Sequence, residues 1–290
     1  MMNGDGEQPL PTALIKRRSR VASRGSRMVE LKFLGSGNAF CPDGRLHSLV
    51  LIDGNMLVDA PPTLLAQLRR AGISPADIDS LLITHWHGDH VFGFPFLVLE
   101  RRFGSDREGE KILEVHLHAG GEKRMHHLSE LAFPGSLEEA LNERVNFHHE
   151  PAGEVVGSNG EWKFERFQVI HTPETEPHGY QLTHSSGFTL LHCGDSGPCA
   201  EIEARAPLAD VVIIELGLPD YVESDYHYKP STLSKLVEGC PETRFLATHL
   251  FTDSKGSGVA TIPTLPSNVI EVNDGDGFEW SDGELKRVSN

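Results

Sequence analysis

Paired cysteines, long apolar runs and an excess of basic charge are all missing from this chain, and each absence narrows what it can be. The 290 residues hold four cysteines, Cys41, Cys193, Cys199 and Cys240, scattered without paired spacing. With no signal-peptide-like apolar segment ahead of them, they suggest free thiols in a reducing compartment, so the expected location is the cytoplasm. No apolar stretch approaches the length needed to cross a bilayer. Lysine and arginine number 26 against 42 acidic residues, a formal net charge of −16. So acidic a body repels polyanions, which makes nucleic acid a poor candidate for the partner. A small anionic substrate is still allowed, because a local dication outweighs distant carboxylates. No internal repeat is strong enough to mark an array.

What the chain does have is a concentrated run of metal-binding side chains. Leu81, Leu82 and Ile83 read as a buried strand, and they lead into Thr84-His85-Trp86-His87-Gly88-Asp89-His90. The two-residue alternation of a strand would put His85 and His87 on one side. Gly88 would let the backbone turn, so that Asp89 and His90 point to a neighbouring position. The apolar run Val91 to Leu99 has helical length, so a helix is expected to open near His90. Two imidazoles aimed at one point, with a carboxylate and a third imidazole beside them, suit two adjacent divalent cations. Such donors favour zinc, iron or manganese over magnesium or calcium.

Around this run the chain divides simply. Residues 1–27 carry Lys16, Arg17, Arg18, Arg20, Arg24 and Arg27 among serines and glycines, and read as a disordered, basic N-terminal tail. Residues 28–290 read as one domain. Strands are expected over Val29 to Leu34, His47 to Ile52 and Met56 to Asp59, with a hairpin turn at Asp53-Gly54-Asn55. Gly35-Ser36-Gly37 is not a dinucleotide fingerprint, since neither the third glycine nor a following helix pattern is present. A helix is expected over Thr63 to Ala71, with Gly72 as its stop. Asp59, at a strand end, could cap that helix or hold a ligand imidazole by its other ring nitrogen. Later strands are expected over Lys111 to Ala119, Val145 to His148, Trp162 to Ile170, Gly179 to Thr183, Phe188 to His192, Val211 to Ile214 and Arg244 to Ala247. Helices should cover Gly121 to Ala132, Ala200 to Ala206 and Ser231 to Glu238. Asn273 to Gly277 and Ser281 to Glu284 read as the turns of short hairpins. Two β-rich sheets clothed in helices is the natural packing.

Further metal donors have to come from later strand ends. Phe167 to Ile170 delivers His171, Phe188 to Gly194 delivers Asp195, and Arg244 to Thr248 delivers His249. The order His-x-His-x-Asp-His, His, Gly-Asp, Thr-His resembles the metallo-β-lactamase superfamily. The resemblance runs from about Met28 to Phe251. It is closest to the phosphodiesterase branch that includes ribonuclease Z and the cyclic-phosphate phosphodiesterases, and rests also on Phe33 to Gly37, Leu57-Val58-Asp59, Gly179-Tyr180, Gly194-Asp195-Ser196 and Glu215.

The resemblance implies a four-layer αββα sandwich and a dinuclear hydrolase. It implies one metal held by His85, His87 and His171 and a second by Asp89, His90 and His249. Asp195 would bridge the two, most simply as zinc with manganese or iron as substitutes, and a hydroxide between them would be the nucleophile. Asp59 would stand behind the ligands. His178, just before Gly179-Tyr180, rivals His171, because the interval from His171 to Gly179 is longer than in ribonuclease Z. Glu215 followed by His227 implies a proton donor to the leaving oxygen, although Tyr228-Lys229-Pro230 makes the spacing to Ser231-Thr232 looser than the family's; a plain loop histidine is the competing reading. Asp89, His227 and Glu215 are accordingly the expected catalytic residues. His116, His118, His126, His127, His148 and His149 lack partners in the sequence and read as surface or core residues.

The implied activity is hydrolysis of a small phosphoester, such as a cyclic nucleotide or sugar phosphate. Hydrolysis of a lactone, thioester or amide by the same metals is the alternative within enzymes. Cleavage of tRNA 3′ ends is disfavoured, because the interval from His171 to Asp195 leaves no room for a substrate-gripping arm. A flavodiiron-like redox role would need extra carboxylates that are missing. The expected partner is thus a small phosphoester and neither a membrane nor nucleic acid; pairing with a second copy of the chain is left open.

Overall fold

The computed structural model describes residues 28–42, 44–253 and 262–288; the expected tail over residues 1–27 lies outside them. Strand β1 covers Val29–Gly35, β2 Leu49–Ile52 and β3 Met56–Val58, followed by helix α1 over Leu64–Arg70 and strand β4 over Ser80–Leu82. Helices α2 (Gly88–Val91) and α3 (Phe94–Glu100) lead to β5 (Leu113–His116), α4 (Gly121–Ala132), α5 (Glu138–Arg144) and β6 (Val145–His148). Strands β7 (Ala152–Glu154), β8 (Trp162–Gln168), β9 (His178–His184) and β10 (Thr189–His192) precede α6 (Ala200–Arg205), β11 (Val211–Glu215) and α7 (Pro230–Glu238). The chain ends on β12 (Arg244–Thr248), β13 (Val269–Glu271), β14 (Gly277–Ser281) and β15 (Glu284–Val288).

Two sheets result. One has the order β15-β14-β1-β2-β3-β4-β5-β6 and the other β13-β12-β11-β10-β9-β8-β7. Alternation within the strands explains how they stack. In β11 every residue is buried, yet Val211 and Ile213 join one apolar cluster while Val212 and Ile214 join another. A parallel strand covered on both faces requires this. The cluster containing Val211 also takes Leu31 and Phe33 from the first sheet and Trp162 and Tyr180 from the second, so it is the filling between them. Leu64, Leu97, Met125 and Leu141 cover the outer face of the first sheet, and Ile202, Leu233 and Val237 that of the second. The architecture is the four-layer αββα sandwich. Fully burying each large apolar side chain contributes roughly 1.5–3 kcal/mol.

Several local expectations are corrected. The helix expected over Val91 to Leu99 is two pieces, beginning at Gly88 and interrupted at Phe92-Gly93. Pro95 cannot supply a backbone donor to extend the first piece. Gly93 also packs where a Cβ would meet the Pro61 carbonyl oxygen at 2.1 Å. Strand β4 ends at Leu82, so His85 and His87 converge from irregular backbone and not from strand alternation. Asn273 to Gly277 is no hairpin turn: β13 belongs to the second sheet and β14 to the first, so the chain crosses between layers there. Asp59 does not cap α1, whose N-cap Thr63 makes no side-chain cap bond. Helix α5 and edge strands β7 and β13 add to the expected elements; β7 is exposed throughout and carries no apolar pattern to announce it. Among the described residues, no helix is long and apolar enough to cross a membrane.

Candidate metal centre

Strand ends from both sheets meet at one edge. The segment after β4 brings His85, His87, Asp89 and His90; the ends of β8, β10 and β12 bring His171, Asp195 and His249. Ligands commonly settle at the carboxyl ends of strands in open α/β sheets. Two groups form. The donor atoms of His85, His87 and His171 lie within 4.8 Å of one another, as do those of Asp89, His90, Asp195 and His249.

In the first group, His85 Nε2 is 3.2 Å from His87 Nδ1, and His171 Nε2 is 3.0 Å from the same atom. Two nitrogens bound to one tetrahedral zinc at about 2.0–2.1 Å would stand about 3.3 Å apart. Burial lowers the pKa of His85 and His87 and pulls that of His171 down to about 4, so these rings present neutral lone pairs. In the second group, Asp195 Oδ2 is 3.2 Å from His249 Nε2 and 3.4 Å from His90 Nε2. Asp89 Oδ2 lies 3.3 Å from His249 Nε2 and 3.4 Å from His90 Nε2. Burial resists ionisation of both acids, but the facing imidazoles hold them below the usual carboxylate range. Asp195 Oδ2 also comes within 3.9 Å of His85 Nε2, placing it between the groups. His90 Nε2 is buried without a hydrogen-bond partner. A cation would satisfy it, and the donor set fits one ion per group.

Behind the donors stands Asp59. Its Oδ2 lies 2.8 Å from His90 Nδ1 and accepts a 2.8 Å bond from the Thr84 hydroxyl, while its Oδ1 accepts from the Thr84 amide at 2.8 Å. Thr84 Oγ1 in turn is 3.0 Å from His85 Nδ1. One carboxylate therefore orients an imidazole in each group. His171 Nδ1 bonds to the Tyr226 carbonyl at 2.9 Å. His178 stands apart: its Nδ1 is 2.6 Å from the Glu176 carbonyl, and its ring stacks on His118 at 4.9 Å.

Beside the second group, His227 Nδ1 lies 2.6 Å from Glu215 Oε1, and its ring is stacked on that of His249 at 6.0 Å between centroids. Burial opposes charge on His227, but the hydrogen bond and charge of Glu215 push its pKa up to about 9. Burial raises the Glu215 carboxyl as well, with His227 working against it. Gly217 seals this corner: its amide donates to Glu215 Oε2 at 2.6 Å, and a Cβ there would meet that oxygen at the same distance and His227 Nδ1 at 3.0 Å.

Thr84, Gly217 and the Tyr226 carbonyl were not foreseen. The threonine beside the cluster was a usable signal; a backbone carbonyl and a glycine leave none. Two of the remaining histidines meet carboxylates in space: His148 Nε2 is 2.7 Å from Glu114, and His149 Nε2 is 3.4 Å from Glu122.

The profile of the family described as Anti-Pycsar protein Apyc1 matches residues 29–213, well over half of the chain. The chain belongs to the Apyc1 family. Ribonuclease Z of Pyrobaculum calidifontis (strain DSM 21063 / JCM 11548 / VA1) is 26% identical over 258 residues, spanning 77% of this chain and 87% of that protein. Two solved structures share the fold. The metallo-β-lactamase fold protein YhfI from Bacillus subtilis is 18% identical, with a TM-score of 0.62, covering 77% of this chain and 86% of its own. A diphosphatase from the PhnP family is 21% identical, with a TM-score of 0.64, covering 88% and 98%. This Apyc1-family chain has the metallo-β-lactamase fold and is a metal-dependent hydrolase of the ribonuclease Z-like branch.

Proposed function

We propose that the chain is a dinuclear metal phosphodiesterase acting on a small phosphoester, cyclic nucleotides and cyclic sugar phosphates included. In this reading His85, His87 and His171 hold one divalent cation, Asp89, His90 and His249 hold the other, and Asp195 is shared. Zinc is the proposed metal, with manganese or iron able to replace it. Divalent ions there would supply activated water at neutral pH and Lewis acidity at phosphorus.

The observation that carries the reading is the Glu215–His227 pair set against the second donor group. An alkoxide leaving from phosphorus needs a proton, and a histidine kept protonated by a buried carboxylate can give it. With Nδ1 engaged by Glu215, Nε2 is the ring atom left to donate. Asp59 keeps His90 fixed and, through Thr84, His85, so the reacting group meets a preorganised site.

Cleavage of RNA, the activity named by the ribonuclease Z relative, is the second reading, favoured by similarity over 258 residues. The net charge of −16 weighs against it, as does the tight turn at 185–187 joining β9 to β10. Assay of the zinc- or manganese-loaded protein on bis(p-nitrophenyl) phosphate, a 3′,5′-cyclic nucleotide, a precursor tRNA, a thioester and a lactone separates these readings. Turnover of the first two is expected. Turnover of only the thioester or lactone would move the reaction to carbon.

A further inference from the structure

The segment between His171 and β9 has no part in the proposed chemistry. It docks on the residue between the first two histidines. Trp86 lies beyond the end of β4, where no neighbouring strand can take its backbone amide. That amide donates to the Thr175 carbonyl at 3.1 Å, and the His178 amide donates to the Thr84 carbonyl at 3.0 Å. The Trp86 indole Nε1 donates to Glu176 Oε2 at 2.9 Å. The other oxygen, Glu176 Oε1, accepts from Arg124 Nη2 at 3.0 Å, and the Arg124 guanidinium lies 5.3 Å from the Trp86 ring centre.

Glu176 makes these bonds from left-handed backbone, φ 51° and ψ 57°, a conformation in which a side chain with a Cβ is disfavoured. Glycine or asparagine would suit that backbone better, but neither could reach both the indole and the guanidinium. Asp59 and Thr84 steady His85 and His90, but neither reaches His87. The docked segment holds Trp86, the residue next to His87.

We infer that Glu176 is a positioning residue that holds Trp86, so that His85 and His87 on either side of it turn their nitrogens toward His171, and thereby sets the affinity of the three-imidazole group for its cation. The inference rests on the ligand assignment proposed above. It makes the segment between His171 and β9 part of the metal centre while leaving the group built on Asp89, His90 and His249 untouched.

The test uses the full chain loaded with zinc and challenged with chelators of graded strength, retained zinc being counted by mass spectrometry. Glu176→Asn keeps a residue that tolerates left-handed backbone but cannot reach Trp86; Glu176→Gln keeps the reach and an acceptor oxygen. Glu176→Asn should give up one of its two zinc ions at about tenfold to a hundredfold lower chelator strength than the wild type, while holding the other unchanged. Glu176→Gln should behave as the wild type. Retention of both ions by Glu176→Asn as in the wild type would overturn the inference, and so would loss of both in parallel. If the ions partition as expected but no phosphodiester is cleaved, the positioning role stands and the proposed function falls. If the wild type holds fewer than two ions, the positioning role falls whatever the assay shows.

Discussion

The two donor groups lie side by side yet differ in what would hold a cation. His85, His87 and His171 offer three neutral rings and only a shared edge of Asp195. Asp89, His90, Asp195 and His249 offer two ionised carboxylates in a buried setting, where opposite charge counts for more than in water. An ion in the second group is held mainly by charge. An ion in the first depends on how well three rings are aimed, through Asp59 and Thr84 for His85, Tyr226 for His171 and the Trp86–Glu176 contact for His87. The difference teaches that disturbing orientation should loosen the first group before the second, and that removing charge should do the reverse.

The harshest way to break this comparison is to remove what both groups share. Asp195→Ala should lose both ions and cut phosphodiester turnover by about 10³-fold or more, since several kcal/mol of charge stabilisation goes with them. His87→Ala should lose metal and activity together, with one ion leaving first. Metal analysis alongside steady-state kinetics would show either result, and an active, metal-free Asp195→Ala would end the account.

Next in size is His227→Ala, which removes a ring packed beside His171 and His249 but none of the seven proposed donors. It should keep its metal but slow turnover of an ester with an alkoxide leaving group by roughly 10²–10⁴-fold, and far less when the leaving group is p-nitrophenolate. Equal rates on the alkoxide ester would remove the proton-donor role. Asp59→Asn should weaken metal affinity by about 10–100-fold, felt in both groups because the carboxylate orients His90 directly and His85 through Thr84. Chelator titration would reveal it.

The smallest effect is a control away from both groups. Burial, and then the neighbouring His148, hold the His116 pKa down to about 4. The unfolded chain takes up that proton near pH 6.5, so between about 6.5 and 4 it binds more protons than the folded chain. Stability from this group is therefore complete above about 6.5 and falls as the pH drops toward 4. His116→Gln should be about 1 kcal/mol less sensitive to a fall from about pH 7.5 to 5.5 in denaturant titrations of the metal-free protein. An unchanged slope would show that His116 is not held neutral.

The contrast between the groups also explains what could be read in the sequence. Four of the seven candidate donors lie within His85 to His90, so local pattern exposed them at once. His171, Asp195 and His249 each close a separate apolar strand, and only their order made them visible together. The strands that line the sheets were legible because their apolar residues alternate or run without a break, as in Val211 to Ile214. The break between α2 and α3 was not, because it depends on Gly93 pressing against the Pro61 carbonyl, a contact between distant turns. Likewise the choice between His171 and His178 hinged on the path of residues 172–177, which sequence spacing does not fix. Glu176 escaped notice for the same reason: an exposed-looking acid in a loop gives no sign that an indole and a guanidinium will close on it.

The claim beneath all of this is that side chains delivered by two sheets hold a pair of divalent ions. Metal analysis of the purified full chain by inductively coupled plasma mass spectrometry addresses it directly, with Asp195→Ala prepared in parallel. The account predicts two ions per wild-type chain and none that survives dialysis in the variant. A wild-type chain that takes up no ion from zinc, manganese or iron solutions, or a variant that keeps both, would contradict it.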